Sequence, residues 1–249
     1  ISKYGFNPTG EDQNNQRLLT SNFDRPHKFV ASVFGSPFPG LDDTRISLLY
    51  TGQSGAPFSY VYLGDMNGDG YPGLGPSFDR TNDILYVPEQ ASEVPGGFAT
   101  TALLGSALRN DECLAGAKGR LLRRNECRAP FQHRLDLRVS QDIRWGSTEI
   151  RLEGDMINVL NFINGEWGRV ESVRAVVPML EPTGRAESIG GPGEIRSRWA
   201  GGALVTEEGT LEAVPPWNVL SPDSQWQAQF GVRVTFGGGS LDRSPTRTP

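Results

Sequence analysis

Residues 226–236 alternate without a break between apolar and polar side chains. A strand with this period of two has one apolar face and one polar face, whereas a helix would mix the two sets around its surface. The pattern therefore predicts a β-strand with one apolar side. The apolar set is Trp226, Ala228, Phe230, Val232, Val234 and Phe236, and the polar set includes Gln227, Gln229, Arg233 and Thr235.

Four earlier segments show the same period, and they start near His27, Ile46, Leu135 and Ile150. The third of them is broken only by Gln141. The 31 glycines and 18 prolines collect in long polar stretches between the segments, which suits strands joined by large irregular loops. The sequence therefore predicts an all-β fold of about five antiparallel strands.

The connections between these strands alternate strictly between short and long. Residues 36–43 and 145–147 form the short turns, whereas the long loops cover about residues 62–131 and 165–225. Both long loops therefore leave from the same side. Soluble sandwiches seldom carry structureless loops of this length, whereas outer-membrane barrels have short periplasmic turns and long extracellular loops. The pattern favours a barrel wall over residues 1–236, followed by a polar flexible tail at residues 237–249.

Charge and hydropathy argue against two other classes of protein. The 24 basic residues are scattered and outnumbered by 29 acidic residues, giving a net charge of -5, which argues against a nucleic-acid partner. No apolar run approaches the roughly 20 residues that a membrane-spanning helix needs. Because the chain starts at Ile1 with neither a basic nor an apolar leader, we expect a mature piece or a fragment of a longer protein.

Several short motifs, taken together in their order along the chain, indicate a family resemblance. They are Ser-Asn-Phe-Asp-Arg-Pro-His at 21–27, Tyr-Thr-Gly-Gln-Ser-Gly-Ala-Pro-Phe-Ser-Tyr at 50–60, Gly-Asp-Met-Asn-Gly-Asp-Gly at 64–70, Asn-Asp-Ile-Leu-Tyr-Val-Pro at 82–88, Arg-Ala-Pro-Phe at 128–131 and Asn-Val-Leu-Asn-Phe-Ile-Asn at 158–164. With the closing strand at Phe236, they resemble the C-terminal strands of TonB-dependent outer-membrane receptors. The resemblance is to the Oar-like branch, which carries an extra N-terminal carboxypeptidase-regulatory-like domain. It covers most of residues 20–170, and then 225–236.

The resemblance implies a transport protein in the outer membrane of a Gram-negative bacterium. The family's barrel of about 22 strands is filled by a plug, so these strands would form part of a transmembrane β-barrel with two long extracellular loops. The cargo would be a large nutrient such as an iron chelate, an oligosaccharide or a peptide. The implied partners are membrane lipid, the plug and remaining strands, the energy-transducing TonB complex acting through the plug, and the barrel-insertion machinery acting on the last strand.

Residues 65–70, Asp-Met-Asn-Gly-Asp-Gly, match the first half of an EF-hand-like calcium loop. Such a loop places oxygen ligands at positions one, three and five, here Asp65, Asn67 and Asp69, and a backbone carbonyl at position seven, here Tyr71. Position twelve is a proline, so a further carboxylate must come from elsewhere, with Asp83 a candidate. The alternative is a turn without metal. A bound calcium would order the loop and would not catalyse a reaction.

The chain has two cysteines, Cys113 and Cys127, both in the first long loop. They do not form a metal-binding or redox spacing. Because an extracellular loop is exposed to an oxidising environment, we predict that they form a disulfide. Two unrelated free thiols are the alternative.

No set of residues predicts an enzyme. The segment around Ser54 is similar to the nucleophile segment of chymotrypsin-like proteases, but no positioned base accompanies it. His27 and His133 are interpreted as residues at the starts of strands, because two nitrogen ligands do not complete a zinc site. The runner-up function is a calcium-stabilised, secreted β-sandwich used for adhesion or binding. Aromatic residues near the predicted outer strand ends fit an interfacial girdle or ordinary β-propensity. They are Tyr60, Tyr62, Phe131, Phe162 and Trp167.

Overall fold

The computed structural model describes residues 18–37, 43–66, 82–183 and 196–236. The described strands are β1 (Lys28–Gly35), β2 (Thr44–Gln53), β3 (Pro57–Tyr62), β4 (Tyr86–Val87), β5 (Arg120–Leu121), β6 (Cys127–Arg128), β7 (Gln132–Trp145), β8 (Thr148–Ile157), β9 (Glu171–Val173), β10 (Val176–Pro182), β11 (Ser197–Trp199), β12 (Ala203–Val205), β13 (Leu211–Ala213), β14 (Trp217–Val219) and β15 (Gln227–Phe236). The described helices are α1 (Gly97–Asn110), α2 (Glu112–Ala115), α3 (Val159–Ile163) and α4 (Ser221–Ser224), with a 3₁₀ turn at Ala91–Glu93. The predicted tail, residues 237–249, lies outside the described residues.

The chain divides into two compact units. We name the first the sheet unit, which comprises His27–Gln53, Gln132–Val170 and Leu220–Pro249. We name the second the insertion unit, which comprises Ile1–Pro26, Ser54–Phe131 and Glu171–Val219.

The sheet unit contains a five-stranded sheet in the order β1-β2-β7-β8-β15. All four neighbouring pairs are antiparallel, which confirms the five predicted strands. The short turn between β7 and β8 consists of Gly146 and Ser147, where Gly146 has a φ of +61°. Glycine adopts this conformation at little cost because it has no Cβ.

The register of the last strand is continuous. It runs without interruption from the pair Gln227 and Ile157 to the pair Phe236 and Thr148. A slip of one residue would move every apolar side chain of β15 to the other face of the sheet. The alternation in the sequence therefore specifies this register.

The insertion unit is a mixed structure with its own core. Its largest sheet has the order β11-β10-β3-β6, in which β3 and β10 are parallel. Three two-stranded sheets accompany it. Fully buried core side chains come from distant parts of the chain and include Phe58, Leu85, Leu104, Leu114 and Leu180.

The expectation of long irregular loops is therefore wrong. Much of residues 62–131 is ordered around α1, which buries Leu103, Leu104, Ala107 and Leu108. These residues recur at the spacing of a helical face, one turn apart. The helix forms because that face is covered by the strands of the same unit, an effect that period-two analysis of the sequence does not detect.

Strands hold 47% of the structure and helices 16%, which supports the all-β class. None of the sheets formed by the described residues closes into a barrel.

Candidate functional site

The five-stranded sheet has one continuous apolar face. Its antiparallel register aligns apolar residues of neighbouring strands, so that rows of them cross the whole sheet. One row consists of Val33, Leu48, Leu137, Met156 and Ala228. The next row consists of Gly35, Ile46, Val139, Gly154 and Phe230. The surface formed by these rows and their apolar neighbours is called the apolar face.

Large side chains on the apolar face are exposed. Phe230 is 85% exposed, Phe236 78%, and Val33 and Val232 are each 69% exposed. Proteins in water rarely expose contiguous apolar surface of more than a few hundred Å² unless the surface binds something. The exposed apolar face of the sheet unit therefore requires a functional explanation.

One polar residue, Gln141, interrupts the apolar alternation of β7. It pairs with Thr44 on β2, and the Thr44 hydroxyl donates a hydrogen bond to its Oε1. Its Nε2 donates to the backbone carbonyl of Asp142 at 3.0 Å. The amide is thus hydrogen-bonded on both sides, which reduces the cost of a polar group on this face.

The opposite face of the sheet carries charges in complementary positions. Asp142, which is 4% exposed, accepts two hydrogen bonds from Arg151 on the neighbouring strand, at 2.5 and 3.0 Å. Arg45 approaches the same carboxylate at 3.6 Å from the other side. A second cluster consists of Arg138 with Glu153 at 3.3 Å and Asp155 at 3.6 Å. The charges of β7 and β8 are thus partnered in a network, whereas on β1 the same face carries the exposed side chains of Val30 and Phe34.

The two outer strands, β1 and β15, each pair on one side only within the described structure. Their outer edges therefore present backbone N–H and C=O groups in position to pair with a further strand. The strands β2, β8 and β15 contain 10 residues each and β7 contains 14. A tilted strand of about 9–11 residues crosses the hydrocarbon core of a bilayer.

Aromatic residues lie at both ends of this sheet. Trp145 and Phe236 lie at the strand ends that carry the short turns, and both side chains are mostly exposed. At the opposite strand ends, the rings of Phe162 and Trp226 pack edge to face, with their centroids 5.3 Å apart. Interfacial aromatic residues of membrane proteins are found at such positions.

The prediction of an interfacial girdle is wrong for Tyr60 and Tyr62. Both lie in β3 and are buried in the core of the insertion unit. Desolvation raises the pKa of both phenols, and for Tyr60 the charge of Asp111 and a hydrogen bond to it raise the pKa further. The physical reason is that the chain enters a different unit at Ser54, so that these two residues follow the end of β2 without lying in the five-stranded sheet.

His27 lies directly before β1, and His133 is the second residue of β7. This is the placement predicted for residues at strand starts. Nδ1 of His133 is 2.8 Å from the hydroxyl of Tyr50 on the neighbouring strand.

The proposed calcium loop is described only at its two ends. Asp83 is buried, and its Oδ2 accepts a hydrogen bond from the Met66 backbone N–H at 2.5 Å. This carboxylate therefore lies beside the start of the motif, next to Asp65. Asn67, Asp69 and Tyr71 lie outside the described residues. Within residues 18–37, 43–66, 82–183 and 196–236 no group of three or more potential metal ligands is found, so the calcium site stays a prediction.

Calorimetry can test the calcium loop directly. We expect heat of binding when calcium is titrated into the chain, and weaker binding in Asp69→Ala because one of the predicted oxygen ligands is removed. Glu207→Gln, which removes a negative charge from an exposed turn, is the control and should bind like the wild type. Absence of heat at about millimolar calcium, the range of extracellular calcium modules, would reject the site.

Cys113 and Cys127 form a disulfide in the insertion unit, with their Cα atoms 5.5 Å apart. Cys127 pairs with Phe58 of β3 and is buried. The sequence favours the same pairing. The disulfide ties the segment after α1 to the core sheet.

Glu126 organises the turn that precedes Cys127. Its carboxylate accepts hydrogen bonds from the Arg120 guanidinium at 2.6 and 3.1 Å and from the Arg123 backbone N–H at 2.7 Å. The hydrogen bond from Arg120 is the main cause of a pKa below the usual glutamate value. The folded state therefore prefers the charged form of Glu126.

Glu126→Gln is expected to lower the free energy of unfolding of the insertion unit at pH 7 by about 1 kcal/mol, the usual size of a partly exposed charged hydrogen bond. Because the folded pKa is lowered, this stabilisation is present above the unfolded glutamate pKa of about 4.3 and is lost as the pH falls through the folded pKa. Denaturant unfolding at a series of pH values measures the difference, with Glu207→Gln as the charge-matched control. A difference that persists unchanged into strong acid would contradict the assignment.

No family model, no curated protein and no solved structure matches this chain. Of the helices described, none is both long enough and apolar enough to cross a membrane.

Proposed function

We propose that this chain is the C-terminal part of the β-barrel of a TonB-dependent outer-membrane receptor of the Oar-like branch, a transporter for energised uptake of a large nutrient. The observation that carries the proposal is the apolar face, which continues in register across five strands while the opposite face of β7 and β8 carries a network of charges. A barrel wall needs this distribution, with its apolar side toward lipid and its polar side toward the lumen.

The size of the apolar face supports lipid as its occupant. On β15 the apolar set extends from Ala228 to Phe236, eight residue steps or about 27 Å at the rise of an antiparallel strand. At a strand tilt of about 40°, this stretch spans about 21 Å of membrane depth, close to the apolar band of about 25 Å in outer-membrane barrels. Aromatic side chains at both edges of the sheet fit the two interfaces of a bilayer.

The open edges of β1 and β15 support a larger wall. In lipid, unpaired backbone groups on a strand edge cost several kcal/mol each. Closure with further strands of the same protein removes this cost. The remaining barrel strands are therefore the first partners that the proposal requires, and the plug that contacts the charged face is the second.

The two long insertions leave the sheet at the same strand ends. They follow Gln53 and Ile157, the ends of β2 and β8, and return at Gln132 and Gln227. In the proposed orientation these strand ends are extracellular, and the tight turn between β7 and β8 is periplasmic. The insertion unit would then be extracellular, where a disulfide is stable.

Membrane fractionation of the full-length gene product tests the proposal. We expect the protein in the outer-membrane fraction, resistant to salt and alkaline extraction and released only by detergent, because the apolar face would be in hydrocarbon. A peripheral outer-membrane protein of known behaviour serves as the control for extraction.

A protein that is monomeric and soluble in water without detergent, and that unfolds cooperatively, would overturn the barrel proposal. That result would favour the secreted adhesion module, in which the apolar face would be covered by protein. The two functions therefore predict opposite solubilities for the same gene product.

A further inference from the structure

The insertion unit contains a cavity of about 350 Å³. This volume lies within the range of small-molecule sites, which is about 300–1,000 Å³. All of its walls belong to the insertion unit. The cavity therefore exists whether or not the sheet unit lies in a membrane.

Three aromatic side chains line the cavity: Tyr60 of β3, Trp199 of β11 and Trp217 of β14. The Trp199 indole N–H donates to the Gly202 carbonyl at 3.2 Å, which fixes the orientation of the ring. Proline, valine and alanine residues form most of the remaining wall. An aromatic and apolar wall of this kind binds an apolar ligand body or the methyl groups of a cation.

Asp111 places a carboxylate in this wall. Its Oδ2 accepts a hydrogen bond from the Tyr60 hydroxyl at 2.5 Å, and its Oδ1 accepts one from the Leu114 backbone N–H at 3.0 Å. Both donors are neutral, so neither compensates the charge of the carboxylate. A carboxylate offers about four acceptor positions, and two remain for a ligand.

The charges of the wall determine the ligand class. The described residues that line the cavity include Asp111 and no lysine, arginine or histidine. Such a site repels anions and attracts cations. The Tyr60 hydroxyl, protonated at neutral pH like that of any tyrosine, donates its hydrogen bond to Asp111.

We propose that this cavity binds a small quaternary ammonium ion, with Asp111 supplying the opposite charge and Tyr60, Trp199 and Trp217 supplying aromatic contacts. Aromatic faces attract such ions through the ring quadrupole, and indole does so best. A neutral sugar would also stack on indole. It would gain little from an uncompensated carboxylate in a wall without basic groups.

Calorimetry on the full chain tests the ligand class with two probes of the same shape. The probes are choline and its neutral isostere 3,3-dimethylbutan-1-ol, in a polyoxyethylene detergent that contains neither sugar nor ammonium groups. We expect choline to bind at least about tenfold more tightly than the isostere, because only choline interacts with the carboxylate and the ring quadrupoles. This comparison uses the wild-type chain and does not depend on a variant folding.

Asp111→Asn tests the named carboxylate, because asparagine keeps an oxygen that accepts from the Leu114 N–H. We expect choline affinity to fall about tenfold while isostere affinity stays unchanged. Glu112→Gln removes the neighbouring exposed charge, which does not line the cavity, and should leave choline binding intact.

Equal affinity for choline and the isostere would overturn the proposal, and so would tighter binding of glucose than of choline. Absence of heat with choline up to about 50 mM would also overturn it, because a weaker cation–aromatic site has no useful affinity. Glycerophosphocholine distinguishes the source of the ammonium group. Tighter binding than choline supports a lipid headgroup, and weaker binding supports a free solute.

Discussion

Under the proposed function, Val232→Arg should sharply reduce the amount of the full-length protein in the outer membrane, whereas Gln229→Arg should leave it close to the wild-type amount. Val232 is exposed on the apolar face of β15 and pairs with Leu152, whereas Gln229 lies on the polar face and pairs with Asp155. An arginine on the lipid side of a barrel costs about 2–4 kcal/mol at the bilayer midplane. An arginine at residue 229 instead gains a carboxylate neighbour.

The two substitutions form a matched pair because they add the same side chain to the same strand, on opposite faces. Quantitative immunoblots of purified outer membranes measure the assembled protein, and whole-cell blots correct for expression. Val232→Leu is the control for packing alone and should assemble normally. Equal sensitivity of residues 229 and 232 would mean that β15 is not a barrel wall, and the soluble sandwich would become the better explanation.

Removing the disulfide should destabilise the insertion unit by about 3 kcal/mol, the chain-entropy value for a loop of about 15 residues. The bond joins Cys113 to Cys127, which is buried beside Phe58. Without it, the segment between them gains freedom in the unfolded state. The expected consequence in Cys113→Ser/Cys127→Ser is faster opening of α1, which lies directly before the bonded segment and packs in the same core.

Hydrogen exchange followed by mass spectrometry measures this effect in one unit at a time. Amides of α1 around Leu104 should exchange about 100-fold faster in the double variant, the factor that corresponds to about 3 kcal/mol. Amides of β7 and β8 belong to the sheet unit and serve as the internal control. If the amides of α1 exchanged at the same rate in the untreated wild type, the reduced wild type and the double variant, the disulfide would not stabilise this core.

The strands of the sheet unit were predictable because their residues carry the information locally. A period of two along β15 identifies a strand and its two faces without knowledge of any partner. The strand ends differ from the predicted segments by only a few residues, for example Gln132–Trp145 in place of Leu135–Ile143 for β7 and Gln227–Phe236 in place of Trp226–Phe236 for β15. The single interruption at Gln141 is explained only by its partner Thr44, 97 residues away.

The insertion unit was not predictable by the same reasoning. Its strands are mostly short, so no periodicity develops, and its parallel pair joins β3 to a strand more than 100 residues later. The signal for α1 was present in the spacing of Leu103, Leu104, Ala107 and Leu108. Composition rich in glycine and proline around it favoured a loop.

The segments of the five-stranded sheet and the side chains that share a face could be identified from consecutive residues alone, because strand periodicity is a local property of the chain. The tertiary fold was needed to show that segments from residues 54–131 and 171–219 share a core, that Tyr60 is buried, and that its hydroxyl donates to Asp111 in a cavity lined by Trp199 and Trp217. The hydrogen bond between Tyr60 and Asp111 joins residues 51 positions apart. The formation of the core and the cavity depends on the burial of apolar surface from several segments at once, which no local pattern records.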